Sequence, residues 1–272
     1  MGLAELDHRR HSELADRLWA ELKTRQIVIC EDCDGNGSLP LLDEDMDVEE
    51  MDLLRPTRTR ECHCRRNALV TLGLFEAGLP NEFWQADEIK PELNIENYDS
   101  LRLYAENIRR AKRHGLSLLL TGERGTGKTS SAAIALIAAV QQKMSAAYIS
   151  FPDLIQGMRR AWRDERHGRY LDDRCTRDFV VVDELGKEHT GKDSDFVLSK
   201  LDSLVRTRRG LMQPTILITN DPPLELFRRY GASFESLLAD RYKLMAYAPG
   251  DYRVRTASRD TWLEKLTGDS TK

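Results

Sequence analysis

Gly122-Glu123-Arg124-Gly125-Thr126-Gly127-Lys128-Thr129 has the residue types and spacing of a phosphate cradle. Glycines at these positions let the backbone curl, so that successive N–H groups and the start of a following helix face an anion. Lys128 is spaced to reach the β- and γ-phosphates of a nucleotide, and the Thr129 hydroxyl to ligate Mg²⁺. A second reactive pair, Asp183 and Glu184, ends the apolar run Phe179-Val180-Val181-Val182. Asp183 would hold Mg²⁺ through its coordination shell, and Glu184 would polarise the attacking water. A third apolar run, Thr215-Ile216-Leu217-Ile218-Thr219, ends in Asn220, which is suited to orienting that water. Together these residues predict an ATP-binding, ATP-hydrolysing site. Gly122, Gly125, Thr126, Gly127, Lys128, Thr129 and Ser130 would surround the nucleotide, with Asp183 and Thr129 on Mg²⁺.

The cysteines form a separate constellation. Cys30-Glu31-Asp32-Cys33 and Cys62-His63-Cys64 are two tight pairs in a polar, charge-rich stretch. Two such pairs brought together make a closed, structural Cys₄ zinc site. The turn residues Asp34-Gly35-Asn36-Gly37 follow the first pair as a zinc knuckle requires. His63 is an alternative to one of the sulfurs, and Cys175 stands alone.

Several cations have less specific surroundings. Arg241 follows a helix-like segment, from which it would reach the γ-phosphate of a neighbouring copy and make hydrolysis depend on assembly. Arg253, in Tyr252-Arg253-Val254-Arg255, offers a further cation for the phosphates. Arginines interleave with aromatics from Met158 to Tyr170, a pattern that holds phosphates and stacks bases but equally describes a solvated helix face. Arg206, Arg208 and Arg209 form another basic cluster, available to DNA or to a subunit interface.

The elements that must position these groups follow from periodicity. Apolar strands at 116–121, 146–150, 179–183 and 215–220 alternate with helical patterns, beginning with the Ala-rich run 130–140. That alternation predicts an α/β fold with a parallel sheet sandwiched by helices. Residues 3–25 read as one amphipathic helix, with Leu14, Leu18 and Leu22 on one face. It would pack on its own domain or dock on a partner. Residues 68–104, with Pro80 and Pro91, read as a connection of mixed pattern. The expected division is a helix and zinc module over 1–75 and an ATPase domain over 76–272.

A net charge of −4 excludes a globally basic nucleic-acid coat, so any DNA contact must be local. Five cysteines with no export signal argue against a disulfide framework and for a reducing, cytoplasmic setting. No apolar run approaches the length of a membrane span.

With these residues in hand, the chain resembles the bacterial and phage helicase loaders of the DnaC/DnaI type, within the wider group that includes the IstB transposition ATPases. The resemblance runs from about Cys30 to about Arg255. It rests on the P-loop with its Ala-rich helix, the stretch around Asp153-Leu154-Ile155, the acid-ending strand through Gly186, and Arg208-Arg209 followed by the Asn220 strand. Cys30, Cys33, Cys62 and Cys64 are similar to the zinc module of the DnaI-like members. The resemblance implies an AAA+ core with a reduced lid, Asn220 as sensor 1, Arg241 as arginine finger and Arg253 as a sensor-2-like residue. Leu237 stands where the family often carries a second arginine. It also implies ATP-driven self-association into a helical or ring-like oligomer on single-stranded DNA, and delivery of a DnaB-family replicative helicase gripped by the N-terminal module. An IstB-like ATPase that binds duplex DNA and recruits a transposase is the alternative. A nucleotide-gated adaptor with negligible turnover is less consistent with Glu184 beside Asp183.

Overall fold

The computed structural model describes residues 30, 32–33, 38–40, 59–86, 94–161, 172–187 and 194–250. The expected helix at 3–25, the acidic stretch 43–52, the run 162–170 and Arg253 lie outside the described residues. The chain divides into two compact units, Met1–Gly73 and Leu74–Lys272.

In the first unit, strand β1 (Ser38–Pro40) pairs antiparallel with β2 (Thr59–Glu61), Ser38 opposite Glu61 and Pro40 opposite Thr59. The start of β1 therefore lies against the end of β2. Cysteines just before β1 and just after β2 are brought to the same end of the hairpin. Helix α1 (His63–Ala77) begins immediately after Cys62.

The second unit is built on a parallel sheet of five strands. Helices α2 (Ile95–Glu106) and α3 (Ile108–His114) precede β3 (Ser117–Thr121). Then follow α4 (Lys128–Gln141), β4 (Ala146–Ser150), α5 (Phe151–Ala161), β5 (Phe179–Leu185) and α6 (Ser194–Gly210). The unit is completed by β6 (Thr215–Thr219), α7 (Pro223–Tyr230), α8 (Ala232–Ala239) and β7 (Tyr242–Ala246). The strand order is β4-β5-β6-β3-β7. The first four of these strands are the four expected ones, to within a residue or two at their ends.

The inner strands β5, β6 and β3 are buried on both faces, which is why they read as unbroken apolar runs. Ala147, Ile149, Val180, Val182, Leu217 and Leu119 face a core closed by Leu201, Val205, Leu226 and Leu237 from α6, α7 and α8. The alternate residues face α4, whose Ala132, Ala133, Ala135 and Ala139 are buried and small enough to let the helix sit close to the sheet.

Three features depart from expectation. Strand β7 was missed because it is an edge strand in which Met245 is the one buried residue, so no apolar run marks it. Residues 68–104 hold most of α1 and all but the last two residues of α2, rather than a connection; both helices have only a weak apolar stripe. The cluster Arg206, Arg208 and Arg209 is not a free basic surface. Arg206 pairs with Asp202 at 2.6 Å and Arg209 with Asp240 at 2.6 Å. Arg208 is buried at 1 % exposure. Its Nε donates to Thr215 Oγ1 at 2.7 Å, and Nη2 donates to Pro214 O at 2.8 Å. Nη1 donates to Cys175 O at 2.7 Å and Arg177 O at 2.8 Å. The guanidinium ties the last turn of α6 to the entry ends of β5 and β6. Among the described residues, no helix is long and apolar enough to cross a membrane.

Candidate nucleotide site and cysteine cluster

Strand order decides what meets at the carboxyl end of the sheet. β6 lies between β3 and β5, so Asn220 emerges between the loop that follows β3 and the acids that end β5. Crevices at this edge are where ligands of open parallel sheets bind. Gly122 leaves β3 with φ 140°, and a Cβ there would meet Tyr247 O at 2.6 Å, so only glycine fits. Gly127, at φ 90°, turns the chain into α4. The loop between them is braced by Thr126 Oγ1, which donates to Glu123 O at 2.9 Å. The Lys128 ammonium donates to Gly122 O at 2.7 Å and Glu123 O at 2.6 Å, which holds it over the loop.

Asp183 is buried and fully engaged. Its Oδ2 accepts from Thr129 Oγ1 at 2.8 Å and from the Tyr148 hydroxyl at 2.8 Å. Its Oδ1 accepts from the Glu184 N–H at 2.6 Å. An all-oxygen set with a carboxylate and a hydroxyl side by side suits a hard dication such as Mg²⁺. Glu184 differs in backbone as well as in exposure. The β5–β6 register shifts between Val182 and Leu185, and Glu184 takes φ 63°, a left-handed conformation that costs a glutamate free energy. The bulge turns Glu184 out of the strand's alternation, and its carboxylate is ion-paired with Lys187. Across the strand pair, Thr219 Oγ1 donates to Leu185 O at 2.8 Å, which fixes the backbone just before Asn220. The Asn220 side chain makes no hydrogen bond among the described residues.

Arg241 lies elsewhere. The Ser117 N–H donates to Arg241 O at 2.9 Å, so Arg241 stands at the entry end of β3. That is one strand length, roughly 15 Å, from the loop at its exit. Its guanidinium donates to His114 O at 2.6 Å and lies 3.3 Å from Asp240 Oδ2. Arg241 therefore does not serve the nucleotide site of its own chain.

Sequence reasoning missed two neighbours of the site. Asn94, at φ 56°, accepts from the Ala248 N–H at 2.8 Å and donates to Ala248 O at 3.4 Å and Thr126 O at 3.5 Å, so it fastens the P-loop to the segment after β7. A lone Asn before a helix gives no hint of such a partner. Tyr148 was read as part of an apolar strand, although a tyrosine among buried residues needs a partner for its hydroxyl.

In the first unit, the Sγ atoms of Cys30, Cys33, Cys62 and Cys64 all lie within 4.8 Å of one another. Cys30 and Cys62 sulfurs are 3.7 Å apart, and those of Cys33 and Cys64 3.5 Å. Four thiolates about 2.3 Å from a central zinc would be separated by about 3.8 Å, so the spacing fits a Zn–S₄ tetrahedron. Burial, and then the neighbouring thiols, push the Cys30 and Cys64 thiols up, and a dication reverses that cost by replacing their protons. His63 is exposed, with Nδ1 3.2 Å from Asp32 Oδ2 and 3.7 Å from Cys62 Sγ. A second possible donor set, Cys30, Asp32, Cys62 and His63, shares two of the sulfurs.

Residues 101–243 match the model of the IstB-like ATP binding protein family. The chain belongs to that family. This IstB-like chain also shares its fold with solved replication proteins. The DnaC helicase loader is 20% identical at a TM-score of 0.54, over 62% of this chain and 100% of that one. Domain III of the replication initiation protein DnaA from Thermotoga maritima is 14% identical at 0.55, over 71% and 78%. DnaA bound to AMPPCP and single-stranded DNA is 16% identical at 0.52, over 70% and 56%. A comparison with curated proteins returns no match. The IstB-like chain is thus an ATP-binding protein with the parallel-sheet core that those structures share.

Proposed function

We propose that this chain is an ATP-dependent loader that assembles on single-stranded DNA and delivers a DnaB-family replicative helicase, working in the cytoplasm. The observation that carries the reading is the pairing of a DnaC-like AAA+ core with a separate four-cysteine unit. A nucleotide motor needs only the core; a second, metal-braced unit supplies a grip for a partner. We assign the N-terminal module, about residues 1–75, to that grip, and residues 76–272 to the motor.

In the motor, Lys128 exchanges its loop carbonyls for the β- and γ-phosphates, and Gly122, Gly125, Thr126, Gly127, Thr129 and Ser130 line the phosphates. Mg²⁺, when bound, draws off phosphate charge during transfer. Thr129 and Asp183 hold it, Glu184 takes a proton from the attacking water, and Asn220 orients that water. Arg241, placed at the far end of its own sheet, acts on a neighbouring copy's γ-phosphate, so that turnover follows assembly into a helical or ring-like oligomer; Arg253 completes the phosphate contacts in cis. Cys30, Cys33, Cys62 and Cys64 hold one Zn²⁺.

Native mass spectrometry of the full chain with its host's replicative helicase, with and without ATP, tests the reading. The expected result is a helicase hexamer carrying several copies of this chain, lost when residues 30–64 are deleted. With an intact hexamer, no complex under any nucleotide overturns the loader reading and favours the transposition ATPase, which the IstB-like family match also supports. Zinc has its own test. Purified protein is expected to carry one zinc per chain by elemental analysis, and Cys30→Ser with Cys33→Ser to lose it; metal-free wild type would remove zinc from the proposal.

A further inference from the structure

We infer that Tyr148 is a positioning residue that holds the Asp183 carboxylate in its metal-binding orientation, an assignment that rests on the ATPase reading of the same site. Strands β4 and β5 run parallel, with Tyr148 opposite Val181 and Ser150 opposite Asp183. Side chains alternate along a strand, so Tyr148 and Asp183 share the sheet face that meets α4. From there the Tyr148 hydroxyl reaches Asp183 Oδ2 at 2.8 Å, the same oxygen that accepts from Thr129.

Carboxylate rotation about its terminal torsion is soft, and one N–H on Oδ1 leaves Oδ2 free to swing. Two hydroxyls on Oδ2, one from the helix and one from the adjacent strand, remove that freedom. Tyr148 is itself anchored, because its carbonyl accepts from Arg174 Nη2 at 2.7 Å. Arg174 Nη2 also donates to Ala77 O at 2.6 Å, so the strand that carries the tyrosine is braced from outside the sheet. A phenol keeps its proton throughout the physiological range, so the hydroxyl is a donor to the carboxylate. Hydrogen bonds of this kind orient a metal's ligands, and their loss typically weakens metal binding about 10–100-fold.

The test uses the full chain and a fluorescent ATP analogue, with Mg²⁺ titrated at fixed nucleotide. Tyr148→Phe is expected to raise the Mg²⁺ concentration for half-maximal nucleotide binding about 10–100-fold. Its affinity for the analogue in EDTA should stay within about twofold of wild type. Asp183→Asn, in parallel, should abolish the Mg²⁺ dependence. If Tyr148→Phe leaves the half-maximal Mg²⁺ unchanged while Asp183→Asn removes it, the inference is overturned and the site reading stands. Equal losses with and without Mg²⁺ also overturn it, since they mark a packing role. If Asp183→Asn changes nothing, the site reading itself fails and takes this assignment with it. Tyr148→Leu, apolar and at home in a strand, serves the same comparison should Tyr148→Phe fold poorly.

Discussion

Glu184→Gln is expected to bind ATP as tightly as the wild type and to hydrolyse it about 10²–10⁴-fold more slowly. The substitution keeps the side-chain volume and the left-handed backbone, so the loop, Lys128 and the Asp183–Thr129 contact remain in place. What it removes is the carboxylate proposed to take a proton from water at the end of β5. It also replaces the ion pair to Lys187 with at most a hydrogen bond from the ammonium to an uncharged amide oxygen, but that pair is a solvent-exposed one and contributes little to stability. Steady-state phosphate release, read beside equilibrium binding of a fluorescent ATP analogue, separates the two effects. Turnover within a few-fold of wild type would mean that another group handles the proton.

Arg208→Leu is expected to cost on the order of 3–5 kcal/mol of folding stability, which for a unit of this size lowers the melting temperature by about 10–15 °C. Burial pulls the guanidinium down to about 10, yet leaves it charged at neutral pH. Among the described residues no carboxylate pairs with it; its partners are the carbonyls of Cys175, Arg177 and Pro214, the Thr215 hydroxyl and, at 3.3 Å, the Gln213 side-chain oxygen. Leucine removes the donor from the Cys175 and Arg177 carbonyls and leaves Pro214 O with only the Val180 N–H at 3.3 Å, and each buried group deprived in this way is expensive. Arg208→Lys has three donors on a longer arc and should recover only part of the loss. Thermal melting followed by circular dichroism reads both variants. A melting point for Arg208→Leu within about 3 °C of wild type would show that water can substitute for the guanidinium.

The core was legible because its signals are local. Val180–Val182, Leu118–Leu120 and Ile216–Ile218 are apolar on both faces, and each is followed within a few residues by a polar or glycine-rich break. That pattern fixes both the strand and the end at which its chemistry must sit. What stayed hidden depends on partners distant in the chain. β7 hides because an edge strand needs apolar residues on fewer positions. Arg208 reads as one of three surface arginines; its carbonyl partners come from two loops that only the sheet brings together. Arg241 reads as a bare cation, and only the register of β7 against β3 shows that it stands at the opposite end from the P-loop. Tyr148 reads as strand filler until the pairing of β4 with β5 places its hydroxyl on Asp183. The cysteines were legible as pairs, whereas the hairpin that joins them has strands of three residues each and carries almost no periodicity.

The left-handed backbone at Glu184 bears on how this protein can be engineered. Glycine would adopt the same φ without the Cβ clash, a relief on the order of 1 kcal/mol. The most comfortable residue for that turn is therefore one with no carboxylate. A laboratory selection that rewards heat resistance alone would drift toward Glu184→Gly and collect well-folded, inactive protein. Any library built on this scaffold has to hold Glu184 fixed or screen for turnover alongside stability.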